Sequence, residues 1–327
     1  MEESVFYNLS QDETLGGDSP SIHKIPSQAA LKAYIDSKAG SGGPNYFYVE
    51  DASGAANTLT IKKSNNALPD KVFEWSLDKQ NWTEITVTDT TGVSIAVPAN
   101  GRVYLRGNNN VLSSSSSYYL IIIASGLCKV GGDLSTLLYI QGSVPIADSY
   151  AVFSLFSNMQ NKLIDAQDLI LPFYKVGESG CSRLFYNCSA LINPCKMPHI
   201  AYAVKELFSN MYYGCTALSN VMILPKALSG SSTNSMFAGM YAKCTTLIDG
   251  GTIPNITQVG YCFNAMFQNC SNLARIEVYT TTWNTANSNN WLNGVAATGD
   301  FYNLGGATIP TGTNGIPSGW TEHTQLP

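Results

Sequence analysis

The sequence predicts a multidomain, β-rich chain of the α+β class, and three observations predict it. Short runs of alternating apolar and polar residues recur between turn residues from about 45 to 125. From about 126 to 280 one phrase repeats with its aromatic, cysteine and leucine positions in phase. A single short helical pattern stands ahead of both. The expected order is an N-terminal segment at 1–44, a small β-sandwich at 45–125, a solenoid at 126–279, and a C-terminal cap and tail at 280–327.

The helical pattern is IPSQAALKAYIDSK at 25–38. Ser27 is a suitable N-cap, and Ala30, Leu31, Tyr34 and Ile35 fall on one face. About three turns of helix with a single apolar stripe are marginal alone. Ile25, Leu31, Tyr34 and Ile35 are therefore expected to dock on a larger structure or on copies of the same segment. AGSGGP at 39–44 follows as a flexible joint.

Between 45 and 125 the strand signals are NTLTIKK (57–63), VFEWSLD (72–78), WTEITV (82–87), VSIAVP (93–98) and RVYLRG (102–107). In the last, Val103 and Leu105 share one face while Arg102, Tyr104 and Arg106 share the other. Period two with turns every eight to twelve residues predicts an Ig-like sandwich. DKQN at 78–81 is a turn between two strands, and LIIIA at 120–124 is a buried strand.

The repeat is defined by Met159, Cys188, Cys215, Cys244 and Cys270, in steps of 29, 27, 29 and 26 residues. Leu191, Leu218, Leu247 and Leu273 follow the cysteines by three places. Phe156, Phe185, Tyr212, Tyr241 and Phe267 precede the slots by three. Met197-Pro198, Leu224-Pro225 and Ile253-Pro254 close three of the units. This period is in the leucine-rich-repeat range. Equivalent side chains of a solenoid stack from coil to coil, and a buried cysteine behaves there as a small hydrophobe. Cys188, Cys215, Cys244 and Cys270 are thus expected in the repeat core, and Met in the first slot favours packing over thiol chemistry. After 280 the phase is lost, and Trp283, Trp291, Phe301 and Trp320 are expected to cover the last coil.

Composition restricts function. The chain has 327 residues, a net charge of −5 and no Lys/Arg cluster, which disfavours a nucleic-acid partner. The longest apolar run is five residues, far below the roughly 20 of a membrane span, so no membrane insertion is expected. The start, MEESVFYNLSQDETLGGD, lacks the basic and apolar regions of a secretory signal. The eight cysteines contain no CxxC pair for zinc, and their in-phase ladder needs no disulfides. The three histidines, His23, His199 and His323, sit in no catalytic motif, and the carboxylates form no defensible pair. No enzyme activity, cofactor or metal is expected. What remains for binding is tyrosine, a broad amphipathic side chain. Tyr186, Tyr202 and Tyr213 are the candidates, whereas Tyr241 occupies the aromatic slot of the core.

Two stretches resemble known families. MYYGCTALSNVMILP, with FSNM and LILP upstream, looks like the BspA-type leucine-rich repeats of gut Bacteroidetes and their phages. VYLRGNNN and NWLNGVAATGDFY…NGIPSGWT resemble the segments that flank such repeats, so the likeness covers about 72–322. It departs from the pattern at Met159 and in the missing upstream cysteine of the second repeat. ETLGGDSPSIHKIPSQAALKAYIDSK is similar to a segment of bacteriophage fibres and other virion proteins, matched at Ile25, Pro26, Ser27, Ala30, Leu31, Lys32, Tyr34, Ile35 and Asp36. That resemblance implies a homotrimeric fibre, docked through 1–44 on capsid or tail proteins and assembled in host cytoplasm, where thiols stay reduced. The implied function is adhesion of a virion surface protein to a host-surface glycan or protein. The alternative is a bacterial cell-surface leucine-rich-repeat adhesin.

Overall fold

The computed structural model describes residues 45–139, 146–230 and 234–327. The helix expected at 25–38, and with it Ile25, Leu31, Tyr34 and Ile35, lies outside the described residues. Those described form fifteen strands in four sheets and no α-helix. Two short 3-10 turns, Leu134–Leu137 and Thr285–Asn287, are their helical content.

Eight strands open the chain: β1 (Phe47–Asp51), β2 (Asn57–Lys63), β3 (Lys71–Ser76), β4 (Thr83–Val87), β5 (Val93–Val97), β6 (Arg102–Gly107), β7 (Leu120–Ala124) and β8 (Cys128–Asp133). β2, β6 and β7 coincide with the runs read from the sequence. β3 ends at Ser76 because Asp78 accepts hydrogen bonds from the amides of Gln80 and Asn81, both at 2.8 Å, and closes the turn into β4. Alternation places Val103 and Leu105 inside and leaves Arg102, Tyr104 and Arg106 on the outer face. One sheet runs β5-β2-β7. The other runs β10-β8-β1-β6-β3-β4, where β10 is Leu163–Ile170 from the first repeat. Phe47, Val49 and Phe73 of the larger sheet share a core with Leu59, Ile61 and Ile122 of the smaller.

The seam between this layer and the repeats is continuous. β10 lies parallel to β8, and the Ile122 amide donates to Leu155 O at 2.9 Å. β8 was missed in the sequence because Gly131 and Gly132 interrupt its pattern. A Cβ at Gly131 would stand 2.3 Å from the Tyr48 ring, so glycine is required by the close approach.

The repeats stack as coils, and the arc before each cysteine slot is neither helix nor strand. Alternate amides bond to the next coil: Cys181 to Leu207 O, Arg183 to Ser209 O, Phe185 to Met211 O and Asn187 to Tyr213 O, at 2.7–3.2 Å. The intervening amides turn back on their own coil, Leu184 to Cys181 O, Tyr186 to Arg183 O and Cys188 to Phe185 O, at 3.0–3.3 Å. Every fourth residue is left-handed: Ser179, Arg183 and Asn187 in one coil, Ser235, Gly239 and Lys243 two coils on. Each arc is therefore a chain of turns whose amides alternate between the next coil and their own.

The coils close through short parallel pairings: β9 (Ile146–Ala147) with β11 (Lys175–Val176), and the sheet β12 (Asp249–Ile253), β13 (Arg275–Val278), β14 (Gly299–Asn303), β15 (Trp320–His323). Although the sequence loses phase after 280, the ladder does not. Phe267 donates to Trp291 O at 2.8 Å and Asn269 to Asn293 O at 2.7 Å, so another coil follows. Trp291 and Phe301 are buried in it, Trp320 reaches Ala296 O at 2.8 Å, and Trp283 stacks on Phe263 at 5.8 Å.

The residue before the cysteine slot is left-handed in coil after coil: Asn187, Gly214, Lys243, Asn269. Gly214 has φ +73°, and a Cβ there would lie 2.2 Å from Asn187 Oδ1. Gly214→Ala is expected to destabilise the fold by about 1–2 kcal/mol, measured by urea denaturation. Asn187→Gly in the same chain, which suits the left-handed backbone at 187, should recover the part due to contact.

Candidate binding surface

The four cysteine slots are interior, and the structure gives them a role beyond size. Cys188 Sγ donates to Phe156 O (3.2 Å), Cys215 Sγ to Phe185 O (3.1 Å), Cys244 Sγ to Tyr212 O (3.2 Å) and Cys270 Sγ to Tyr241 O (2.9 Å). Each acceptor is the aromatic residue of the coil before. The same carbonyl also accepts the amide of its own coil's slot, as Phe185 O does from Cys188 N at 3.0 Å. A thiol is small enough for the column and still has a proton for the second lone pair. Leu191, Leu218, Leu247 and Leu273 are fully buried beside them.

The aromatic slots form a continuous stack: Phe47, Phe156, Phe185, Tyr212, Tyr241 and Phe267, with centroids 5.2–5.9 Å apart. Two of the six are tyrosines for a reason. Tyr212 OH accepts the Cys195 amide at 3.3 Å and Tyr241 OH the Met222 amide at 3.1 Å, each from the preceding coil. The hydroxyls satisfy loop donors that phenylalanine would leave bare. Cysteines and core tyrosines are packing elements.

The three surface tyrosines fall in two places. Tyr186 and Tyr213, half-buried, occupy equivalent positions of successive coils and stack on each other, 5.0 Å apart and 7° from parallel. The Arg183 guanidinium lies 5.6 Å from the Tyr186 ring and the Lys243 ammonium 5.0 Å from the Tyr213 ring. Hydrogen bonding to the Tyr213 hydroxyl raises the Lys243 pKa. Tyr202 lies elsewhere, edge-on to Tyr174 at 5.3 Å with Lys175 5.8 Å from its ring. Beside Tyr186 a shallow cleft of about 260 Å³ opens between the first coils and Tyr119 of the sandwich.

A second aromatic surface, which the sequence did not single out, covers the outer face of β1, β3 and β6. Arg102 lies 4.2 Å from the Tyr48 ring and bonds Glu50, and Arg106 lies 4.0 Å from Trp82 and bonds Glu74 at 2.7 Å. The signal was present in the polar phase of RVYLRG, but that phase alone does not reveal cross-strand partners. These groups satisfy one another. Among the described residues no group of three or more His, Cys, Asp or Glu side chains could hold a metal ion, and no helix is long and apolar enough to cross a membrane.

Burial pushes the thiols of Cys128, Cys195, Cys262 and Cys270 up to about 12, from an ordinary 9.0. Since the folded value is the higher one, their contribution to stability is complete below pH 9 and is lost as pH rises from 9 toward 12. The urea midpoint is expected to hold from pH 7 to 9 and to fall by pH 11. At pH 8 a thiol reagent should label the native chain only as fast as it unfolds.

Comparison of the chain with models of protein families, with curated proteins and with solved structures finds no match in any of the three.

Proposed function

We propose that this chain is a structural protein of a bacteriophage virion, a head fibre or tail fibre. In this reading its BspA-type leucine-rich-repeat solenoid is displayed for adhesion to a glycan or protein of the host surface. The observation that carries the reading is the pairing of a fibre-like segment, matched at Ile25 through Asp36, with a repeat that exposes a tyrosine row on its outer arc. The Ig-like sandwich is a spacer, and residues 1–44 dock on capsid or tail proteins and form a homotrimer.

The chain acts here as a binder and not as an enzyme, with no cofactor and no nucleic-acid partner. Its column residues lie in the core, with thiols that burial keeps protonated, so chemistry is left to the surface. Weak single contacts multiplied over three copies, and over many fibres per virion, give firm attachment through effective concentration. The stacked coils hold the tyrosines in fixed register, which lowers the ordering cost of each contact.

The test compares the full chain with a chain starting at Pro44. Light scattering is expected to give three times 35.2 kDa for the first and a monomer for the second. Attachment to Bacteroidetes cells should weaken at least a hundredfold with the loss of trimers. A monomer in both cases, with equal cell binding, would replace the fibre by a free-standing module. The repeat resemblance also favours a bacterial surface adhesin. Finding the chain in cell-envelope fractions and absent from virions would decide for that.

A further inference from the structure

We infer that the row Arg183–Tyr186–Tyr213–Lys243, with the cleft at its end, is a binding site for an acidic oligosaccharide bearing carboxylate or sulfate groups. This deepens the adhesion reading and rests on it.

The tyrosine faces are already in use. Tyr213 covers one face of Tyr186 at 5.0 Å, so the Arg183 guanidinium takes the other, toward the cleft. Lys243, from the coil beyond, takes the outer side of Tyr213. A sugar laid on the cleft side of Tyr186 meets the Arg183 guanidinium, 5.6 Å from that ring, so an acidic group on the sugar finds a cation where it stacks. What the row offers is two cations at its ends, with the Lys243 ammonium held at the Tyr213 hydroxyl.

Those cations are not neutralised. Arg183 and Lys243 are exposed, and among the described residues neither has a carboxylate within 4.0 Å. The acids of the same arcs are otherwise engaged. Glu178 pairs with Lys205, while Glu206 faces Lys205 at 3.7 Å and accepts from Ser179 at 2.9 Å. Besides Arg183 and Tyr186 the cleft is lined by Tyr119 and by serine, asparagine and glutamine side chains, and no carboxylate lines it. In a chain of net charge −5 this aromatic strip is thus locally positive.

The spacing selects a chain of sugars over a single one. The two cations belong to coils on either side of the Tyr213 coil and reach different rings of the row, an arrangement that suits a chain of sugars with an acidic group on more than one unit. The backbone that carries the anchors is fixed, because the Arg183 amide is tied to Ser209 O at 3.0 Å and the Lys243 amide to Gln268 O at 2.8 Å. Amides and hydroxyls in the cleft supply the hydrogen bonds that fix orientation, and the cations supply charge-assisted ones.

The test titrates the full chain with a hexasaccharide of uronic acid, its methyl ester and a sulfated hexasaccharide, by calorimetry. Binding is expected to the uronate or the sulfated sugar, weaker by tenfold or more for the ester, and to fall as salt rises from 50 to 500 mM. Arg183→Gln and Lys243→Gln should each weaken it roughly tenfold, and Arg183→Lys should restore part of the loss. Equal affinity for acid and ester, or full affinity in both glutamine variants, overturns the inference. Tyr186→Ala/Tyr213→Ala is assayed in parallel on host cells. Cell binding that is lost in this variant while no acidic sugar binds would sink the acidic-ligand assignment and leave the adhesion reading standing. A chain that binds neither cells nor sugars overturns both.

Discussion

The structure depends on how the carbonyls of the aromatic column are shared between coils. Phe156, Phe185, Tyr212 and Tyr241 each hold a carbonyl that accepts one amide from their own coil and one thiol from the next. The first bond bends the chain into its turn and the second fixes the height of the following coil. Alanine in the slot would fill less of the column and give up the bond, and valine would keep bulk without the proton. Cysteine is the smallest side chain that supplies volume and donor together without the strong hydration of serine. Met159 completes the logic, because the aromatic residue before its coil is Phe47 of the sandwich, outside the repeat.

Much of this was legible in the sequence, and the rest was not for definable reasons. The strands at 57–63, 102–107 and 120–124 follow from side-chain alternation, which is local. The coil periodicity follows from Cys188, Cys215, Cys244 and Cys270, which are identical. β1 and β8 were invisible because a strand that packs against glycines loses its alternation, as Gly131 does under Tyr48. The turn-built arcs were hidden because left-handed backbone at Arg183, Glu206 or Ala265 has no composition signal when the residues are not glycine. The coil built on Trp291 was read as a cap because its slot residues changed identity while its backbone hydrogen bonds did not. Tyr186 and Tyr213 could be picked as surface residues. That they stack on each other between two cations could not, since it requires the coil spacing.

A stack of coils has two raw ends, each exposing unpaired backbone and apolar rings. Here the N-terminal end is closed by the sandwich itself: β8 pairs with β10, and Phe47 continues the aromatic column at 5.9 Å from Phe156. The other end is closed by indoles whose N–H groups are all used, Trp283 on Asn314 O, Trp291 on Gly315 O and Trp320 on Ala296 O. The strip proposed for binding lies near the first closure, where the two-sheet layer meets the coils that carry Tyr186 and Tyr213.

Every interior coil offers upward the same pattern of carbonyls that it receives from below. Inserting or deleting one whole unit of 26–29 residues between Cys188 and Cys244 therefore leaves both closures and the register of the backbone ladder intact, while bonds particular to one coil, such as Lys205 with Glu178, go with their unit. Such a change sets how many coils, and so how many row positions, the stack presents. Gene duplication within the repeat is in this fold a means of adjusting reach, one rung at a time, without a new core having to evolve.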